Sequence, residues 1–133
     1  MTDEIYATLT DNLLAYEIPE EPTADWLARA LVTDFAIYEP AVKANPSLTT
    51  PSAHKNRILR AYARGSLNPK NAIQVLRWVY KNQLDQSHRI VPDELGTRYI
   101  SCLRKLLSQP DGFFTEALEK AKPLLAIYNV SVR

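Results

Sequence analysis

The chain has 133 residues, of which 46% are hydrophobic and 23% are charged, and its formal net charge is +1. These values are typical of one globular domain and exclude an intrinsically disordered chain. The longest apolar-leaning run, residues 123–132, is about half of what a bilayer span requires, so we expect no membrane segment. The N-terminus carries acidic residues where a targeting signal carries basic ones, which predicts a cytoplasmic location.

The N-terminal part of the chain predicts two acidic helices within about residues 3–44. Thr2 is placed to cap a helix that runs to about Tyr16, with apolar residues at helical spacing. Two prolines three residues apart then force an extended connection, after which Thr23 caps the next helix. Pro40 is expected to end or kink that helix, and a loop follows.

The central part of the chain predicts two basic helices within about residues 51–84. A proline that suits the first helical position opens each of them, and Gly65 is placed to end the first. Residues 83–91 are polar and lack helical spacing, so they predict a loop that contains His88 and Arg89.

The C-terminal part predicts two further helices within about residues 92–130. Pro92 opens the first of them, and the second begins near Phe113, with a break or kink at Pro123. No segment alternates with the period of a strand, and no stretch repeats another. We therefore expect an all-α fold, a compact bundle of five to six helices that forms a single domain over residues 1–133.

The two signs of charge are segregated along the chain. Residues 1–50 contain nine acidic and two basic residues, a net charge of −7, whereas residues 51–108 contain eleven basic and three acidic residues, a net charge of +8. No acidic residue lies between Glu39 and Asp85. This asymmetry predicts either a surface for an anionic partner or an acidic half that folds onto a basic half.

The basic helices predict a nucleic-acid-binding strip. Cationic residues recur on one side of each helix, opposite the apolar positions, so burial of the apolar stripe is expected to turn them outward towards a phosphate backbone. A glutamine shares this side, and a tryptophan beside it is suited to stacking on unpaired bases. The alternative is a solvated cationic side with the tryptophan at the edge of the core. The candidate residues are Lys55, Arg57, Arg60, Arg64, Lys70, Gln74, Arg77, Trp78 and Lys81.

Residues for catalysis or metal binding are sparse. Cys102 is the only cysteine, the two histidines His54 and His88 are far apart in sequence, and three glycines leave little for a phosphate-binding loop. Cys102 lies on an apolar helical stripe and is expected to be an inert packing thiol. His54 is expected to be a surface or boundary residue. We therefore expect no enzymatic activity, no catalytic residue, no metal site and no cofactor.

In its size, helical pattern, lack of catalytic residues and basic pair of central helices, the chain resembles the small helical subunit of CRISPR–Cas effector complexes of the Cascade type. The resemblance extends over the whole chain and lies in these properties, since that family has no diagnostic motif. It implies copies stacked along a ribonucleoprotein filament that contact the backbone of nucleic acid without cutting it. The implied partners are single-stranded nucleic acid or a guide–target duplex, other protein subunits and further copies of the chain.

A protein-interaction module is the competing interpretation of the same features. A regulator or a phage-type inhibitor of this kind would dock on another protein through its charge-segregated faces.

Overall fold

The computed structural model describes residues 19–90 and 94–131, and within them the side chains of residues 19–86 and 97–127. The predicted helix from Thr2 to Tyr16 and the predicted helix start at Pro92 lie outside the described residues. The described part contains five helices and no strand, which confirms the all-α bundle. The helices are α1 (Ala24–Ala44), α2 (Pro51–Ala63), α3 (Pro69–Ile90), α4 (Glu94–Leu107) and α5 (Asp111–Ser131).

Threonine side chains cap the first two helices. The Thr23 hydroxyl accepts a hydrogen bond from the backbone N–H of Trp26 at 3.1 Å, and the Thr50 hydroxyl accepts one from the N–H of Ala53 at 3.3 Å. Each bond satisfies a backbone donor that has no partner inside the first turn of a helix. The predicted cap at Thr23 and the predicted start of α2 at Pro51 are therefore confirmed.

Helix α2 ends in a tight turn at Gly65. This glycine has a φ of +78°, a left-handed backbone conformation that residues other than glycine rarely adopt. Its N–H donates to the carbonyl of Tyr62, and the N–H of Ser66 donates to the carbonyl of Ala61, which is the Schellman pattern of helix termination. The turn connects α2 to α3 within five residues and so makes a helical hairpin.

The predicted loop at residues 83–91 is wrong over residues 83–90, because α3 continues through Ile90, whereas residue 91 lies outside the described residues. The segment contains no proline or glycine that would end a helix. Its first two residues are also buried, whereas the residues of a loop are usually exposed. Gln83 and Leu84 are both buried, and Gln83 accepts a 2.8 Å hydrogen bond from the Tyr99 hydroxyl of α4. Contact with α4 therefore stabilises α3 in a segment whose polar sequence lacks the spacing of a helix.

Prolines inside the helices do not end them. Helix α1 continues past Pro40 to Ala44, and α5 continues past Pro123 to Ser131. Helix α5 also begins at Asp111, two residues before the position predicted from the sequence.

Helix α5 lies at the centre of the packing, since it contacts α1, α2 and α3. Its residues Phe114 and Leu118 are fully buried, together with Phe35 of α1 and Leu76 of α3. These side chains belong to one hydrophobic core that receives residues from all five helices. In the α2–α3 hairpin, defined as residues 51–90, α2 packs against α1 and α5, and α3 packs against α4 and α5. The side of the hairpin that these helices leave uncovered is the surface on which the candidate residues are expected.

Candidate nucleic-acid interface

The two helices of the α2–α3 hairpin run antiparallel. They are joined by the turn at Gly65, and at the other end the ring of His54 meets the ring of Trp78 with centroids 5.8 Å apart and planes at 88°. Both rings are exposed, so this contact lies on the outer side of the hairpin. The predicted surface position of His54 agrees with this arrangement.

Lys55 does not belong to an exposed strip. The residue is only 1% exposed, and its ammonium group lies 3.0 Å from a carboxylate oxygen of Asp34 on α1. The ring of Tyr80 lies below the same ammonium group, 5.5 Å from it. The expectation that the basic side chains turn outward is therefore wrong at Lys55, because its position on the helix falls on the apolar side.

Arg60 points towards α1 and pairs with Glu39. Its Nε donates to Glu39 Oε2 at 2.9 Å, and its Nη2 lies 2.7 Å from Glu39 Oε1. The Glu39 side chain is 3% exposed and that of Arg60 is 21% exposed. In this contact with both carboxylate oxygens, the guanidinium group of Arg60 neutralises the buried carboxylate of Glu39. The group is therefore not available to a phosphate unless this ion pair breaks.

Arg77 points away from Arg60, towards the connection between α4 and α5. It donates to the carbonyls of Leu107 and Gln109 at 3.1 and 2.8 Å, and its Nη2 lies 2.8 Å from a carboxylate oxygen of Asp111. Its guanidinium carbon also lies 4.5 Å from the centre of the Phe114 ring. The structure therefore does not bring Arg60 and Arg77 together into one strip, since they bind elements on different flanks of the hairpin.

Other candidate residues remain on the outer surface. Arg64, Lys70, Gln74 and Lys81 are exposed, and Arg57 is half-buried. Arg57 donates to the carbonyl of Pro46 at 2.9 Å, a contact that leaves its positive charge unneutralised, while Lys81 pairs with Asp85 one turn further along α3 at 2.7 Å. Within the described part of the chain, Arg64 and Lys70 have no ion pair.

The acidic and basic halves of the chain partly fold onto each other. In addition to the pairs made by Asp34 and Glu39, exposed carboxylates just before α1 and in its first turn pair with lysines far along the chain. These pairs are Glu21–Lys105 at 2.9 Å and Asp25–Lys120 at 2.7 Å. A hydrogen bond from Lys120 lowers the pKa of Asp25, and one to Glu21 raises the pKa of Lys105. Intramolecular pairing therefore accounts for part of the charge segregation seen in the sequence.

Among the tryptophan, tyrosine and phenylalanine side chains that the structure describes, Trp78 is the one that is exposed. It is 52% exposed, whereas Tyr80, two residues later on the same helix, is buried in the core. The alternative that Trp78 lies at the edge of the core is therefore not supported.

The described residues offer no group of three or more histidine, cysteine, aspartate or glutamate side chains that could hold a metal ion. Cys102 is buried beside the core residues of α4, and burial raises the pKa of its thiol to about 11. A thiol of this kind is protonated at neutral pH and a poor nucleophile. No helix within the ranges that the structure describes is long and apolar enough to cross a membrane.

Comparison with protein families, curated proteins and solved structures found no match to this chain.

Proposed function

We propose that the chain is a non-catalytic nucleic-acid-binding protein that contacts the phosphate backbone through the outer surface of the α2–α3 hairpin. The observation that supports this proposal most is the placement of Arg64 and Lys70, which are exposed on either side of the Gly65 turn. Neither has an ion-pair partner among the described residues, so both charges are available to a phosphate without breaking an existing pair.

Arg57 extends this pair of charges along α2. It lies two turns before Arg64 on the same side of the helix, and its bond to a carbonyl oxygen leaves a net positive charge. Lys81 lies on the same side of α3 as Lys70, but its charge is shared with Asp85. The proposed contact set of one molecule is therefore Arg57, Arg64 and Lys70, with Lys81 as a weaker contributor.

A set of three cations binds nucleic acid weakly in one molecule and much more strongly when several copies lie side by side on one strand. The small number of cations in each copy supports a role in a ribonucleoprotein complex that contains several copies. The small helical subunit of CRISPR effector complexes, which serve antiviral defence and which the chain resembles, plays one such role. In that role, copies of the chain and other protein subunits line a single strand or a guide–target duplex.

A protein-interaction module is the second candidate function. The exposed Trp78 favours it, because tryptophan is enriched among the residues that dominate the energy of protein interfaces. In this case the same surface would bind a protein and not an oligonucleotide.

Charge reversal at the hairpin turn tests the proposed function. We expect the variant Arg64→Glu/Lys70→Glu to bind a single-stranded oligonucleotide at least tenfold more weakly than the wild type at low salt, because two phosphate contacts are lost and two repulsions are added. Fluorescence anisotropy of a labelled oligonucleotide measures this difference. Both side chains are exposed, so the circular dichroism spectrum and the unfolding midpoint should stay close to those of the wild type.

The control is Arg29→Glu/Lys120→Glu, which changes the net charge equally but at exposed positions on α1 and α5. It also breaks the exposed Asp25–Lys120 pair, which contributes little to stability, so its fold is checked by the same circular dichroism and unfolding measurements. We expect it to retain most of the affinity. Equal losses in the two variants would indicate an effect of net charge alone and contradict an interface on the hairpin. Absence of any binding by the wild type at low salt would contradict the proposed function and favour the protein-interaction module.

A further inference from the structure

The exposure of Trp78 is not explained by packing. Within the described part of α3, the other large apolar and aromatic residues are buried or half-buried, whereas more than half of Trp78 faces solvent. The imidazole ring of His54 on α2 meets the indole ring at nearly a right angle and restricts the positions that it can take. One side of a large aromatic ring is therefore held in place at the surface.

Polar amide side chains flank this ring. Gln74 lies four residues before Trp78 and Asn82 lies four residues after it, so both neighbour the ring on the same side of α3. Gln74 is exposed and Asn82 is half-buried. An amide offers both donors and acceptors, which is the combination that the edges of nucleobases require. Lys81 lies one turn from the ring, within the range of a strand that passes over it, and its ammonium group, which pairs with Asp85, is exposed.

We propose that Trp78, held by His54 and flanked by Gln74 and Asn82, is a stacking site for an unpaired base of single-stranded nucleic acid. This inference rests on the proposed function and narrows its ligand from nucleic acid in general to a single strand. Inside a duplex both sides of each base are already stacked, so apart from the terminal pairs only an unpaired base has a free face to place on the indole ring. The strand then continues along the hairpin towards Arg57, Arg64 and Lys70.

The surroundings of Trp78 favour a base over a protein side chain as the occupant. The centre of a protein interface is more apolar than the rest of the surface and depleted in lysine, and its aromatic anchors lie in well-packed pockets that exclude water. Here the neighbours of the ring three and four residues away on the helix are two amides, a lysine and the half-buried Val75. A single-strand site likewise combines exposed aromatic rings, on which bases stack, with cationic groups along the backbone.

The test compares single-stranded and duplex oligonucleotides of the same sequence, about 12 nucleotides long, by fluorescence anisotropy at low salt. We expect the wild type to bind the single strand more tightly than the duplex. Trp78→Leu should weaken binding of the single strand about 5- to 150-fold, the range found when one stacking aromatic residue is removed, and change binding of the duplex by less than about twofold. The control Trp26→Phe alters the chain's other tryptophan, which is packed against the core, and should bind as the wild type does.

A second readout uses the same control variant. In Trp26→Phe, all tryptophan emission comes from Trp78, and we expect the single strand to quench this emission while the duplex does not. Equal binding of both oligonucleotides, with no effect of Trp78→Leu and no quenching, would overturn the stacking site and leave the proposed function standing. Absence of binding to either oligonucleotide would instead overturn the proposed function, and with it the stacking site.

Discussion

Replacing Lys55 with methionine should lower the free energy of unfolding by about 3–5 kcal/mol. The substitution keeps most of the apolar stem of the side chain but removes the ammonium group that lies 3.0 Å from Asp34. The Asp34 carboxylate, whose side chain is 3% exposed, then stays buried without its counter-charge. Urea denaturation followed by circular dichroism measures the effect.

The double variant Asp34→Leu/Lys55→Met serves as the control for this prediction. It removes both charges and leaves apolar side chains of similar size, so it should recover most of the lost stability. A single variant that stays within about 1 kcal/mol of the wild type would show that the two groups are hydrated in solution, contrary to their burial in the structure.

Replacing Arg60 with methionine should lower the free energy of unfolding by about 2–3 kcal/mol. It removes both contacts to Glu39, which is buried, but the partial exposure of Arg60 lets water reach part of the vacated site and reduces the loss. The matched control is Arg64→Met, one turn later at the C-cap of the same helix. Because Arg64 is exposed and has no ion pair in the described residues, this variant should stay within about 0.5 kcal/mol of the wild type.

Equal effects of the two variants would contradict the assignment of Arg60 to an internal ion pair. The assignment also determines how binding is to be tested. Charge reversal at Arg60 and Arg77, which the sequence pattern alone suggests, would damage the contacts of α1 and of the α4–α5 connection together with any binding surface. Reversal at Arg64 and Lys70 avoids this problem.

Much of the fold could be predicted from the sequence because its signals are local. Thr23, Thr50 and Gly65 each act on a helix end within four residues of themselves, so their chemistry can be recognised without knowledge of the tertiary structure. The end of α3 could not be predicted in this way. Its last two turns are polar, and the part of it whose side chains are described is supported by the contact between Gln83 and Tyr99, sixteen positions apart.

The sequence carried a signal for the burial of Lys55 that the charge pattern concealed. Lys55 lies four residues before Leu59 and seven before Tyr62, both buried, so helical spacing places it on the apolar side of α2. Asp34 likewise lies seven residues after Leu27, which is fully buried on α1. Two opposite charges on facing apolar stripes indicate a buried ion pair.

The internal hydrogen bonds of Arg77 could not be predicted from the sequence. Two of its hydrogen-bond acceptors are backbone carbonyls, which carry no residue signature, and they lie about thirty positions further along the chain. The packing of α3 against α4 and α5 brings them within reach of the guanidinium group.

The salt dependence of binding tests most directly whether the hairpin binds a phosphate backbone through its few available cations. Affinity for a single-stranded oligonucleotide is measured between about 50 and 200 mM salt, and the slope of its logarithm against the logarithm of salt concentration is about −0.7 per phosphate contact. Contacts from Arg57, Arg64 and Lys70 predict a slope of about −2. A slope near −4, the value for six contacts, would mean that Arg60, Arg77 and Lys81 leave their carboxylates on binding. A slope near zero, or no binding at the lowest salt, would contradict the account.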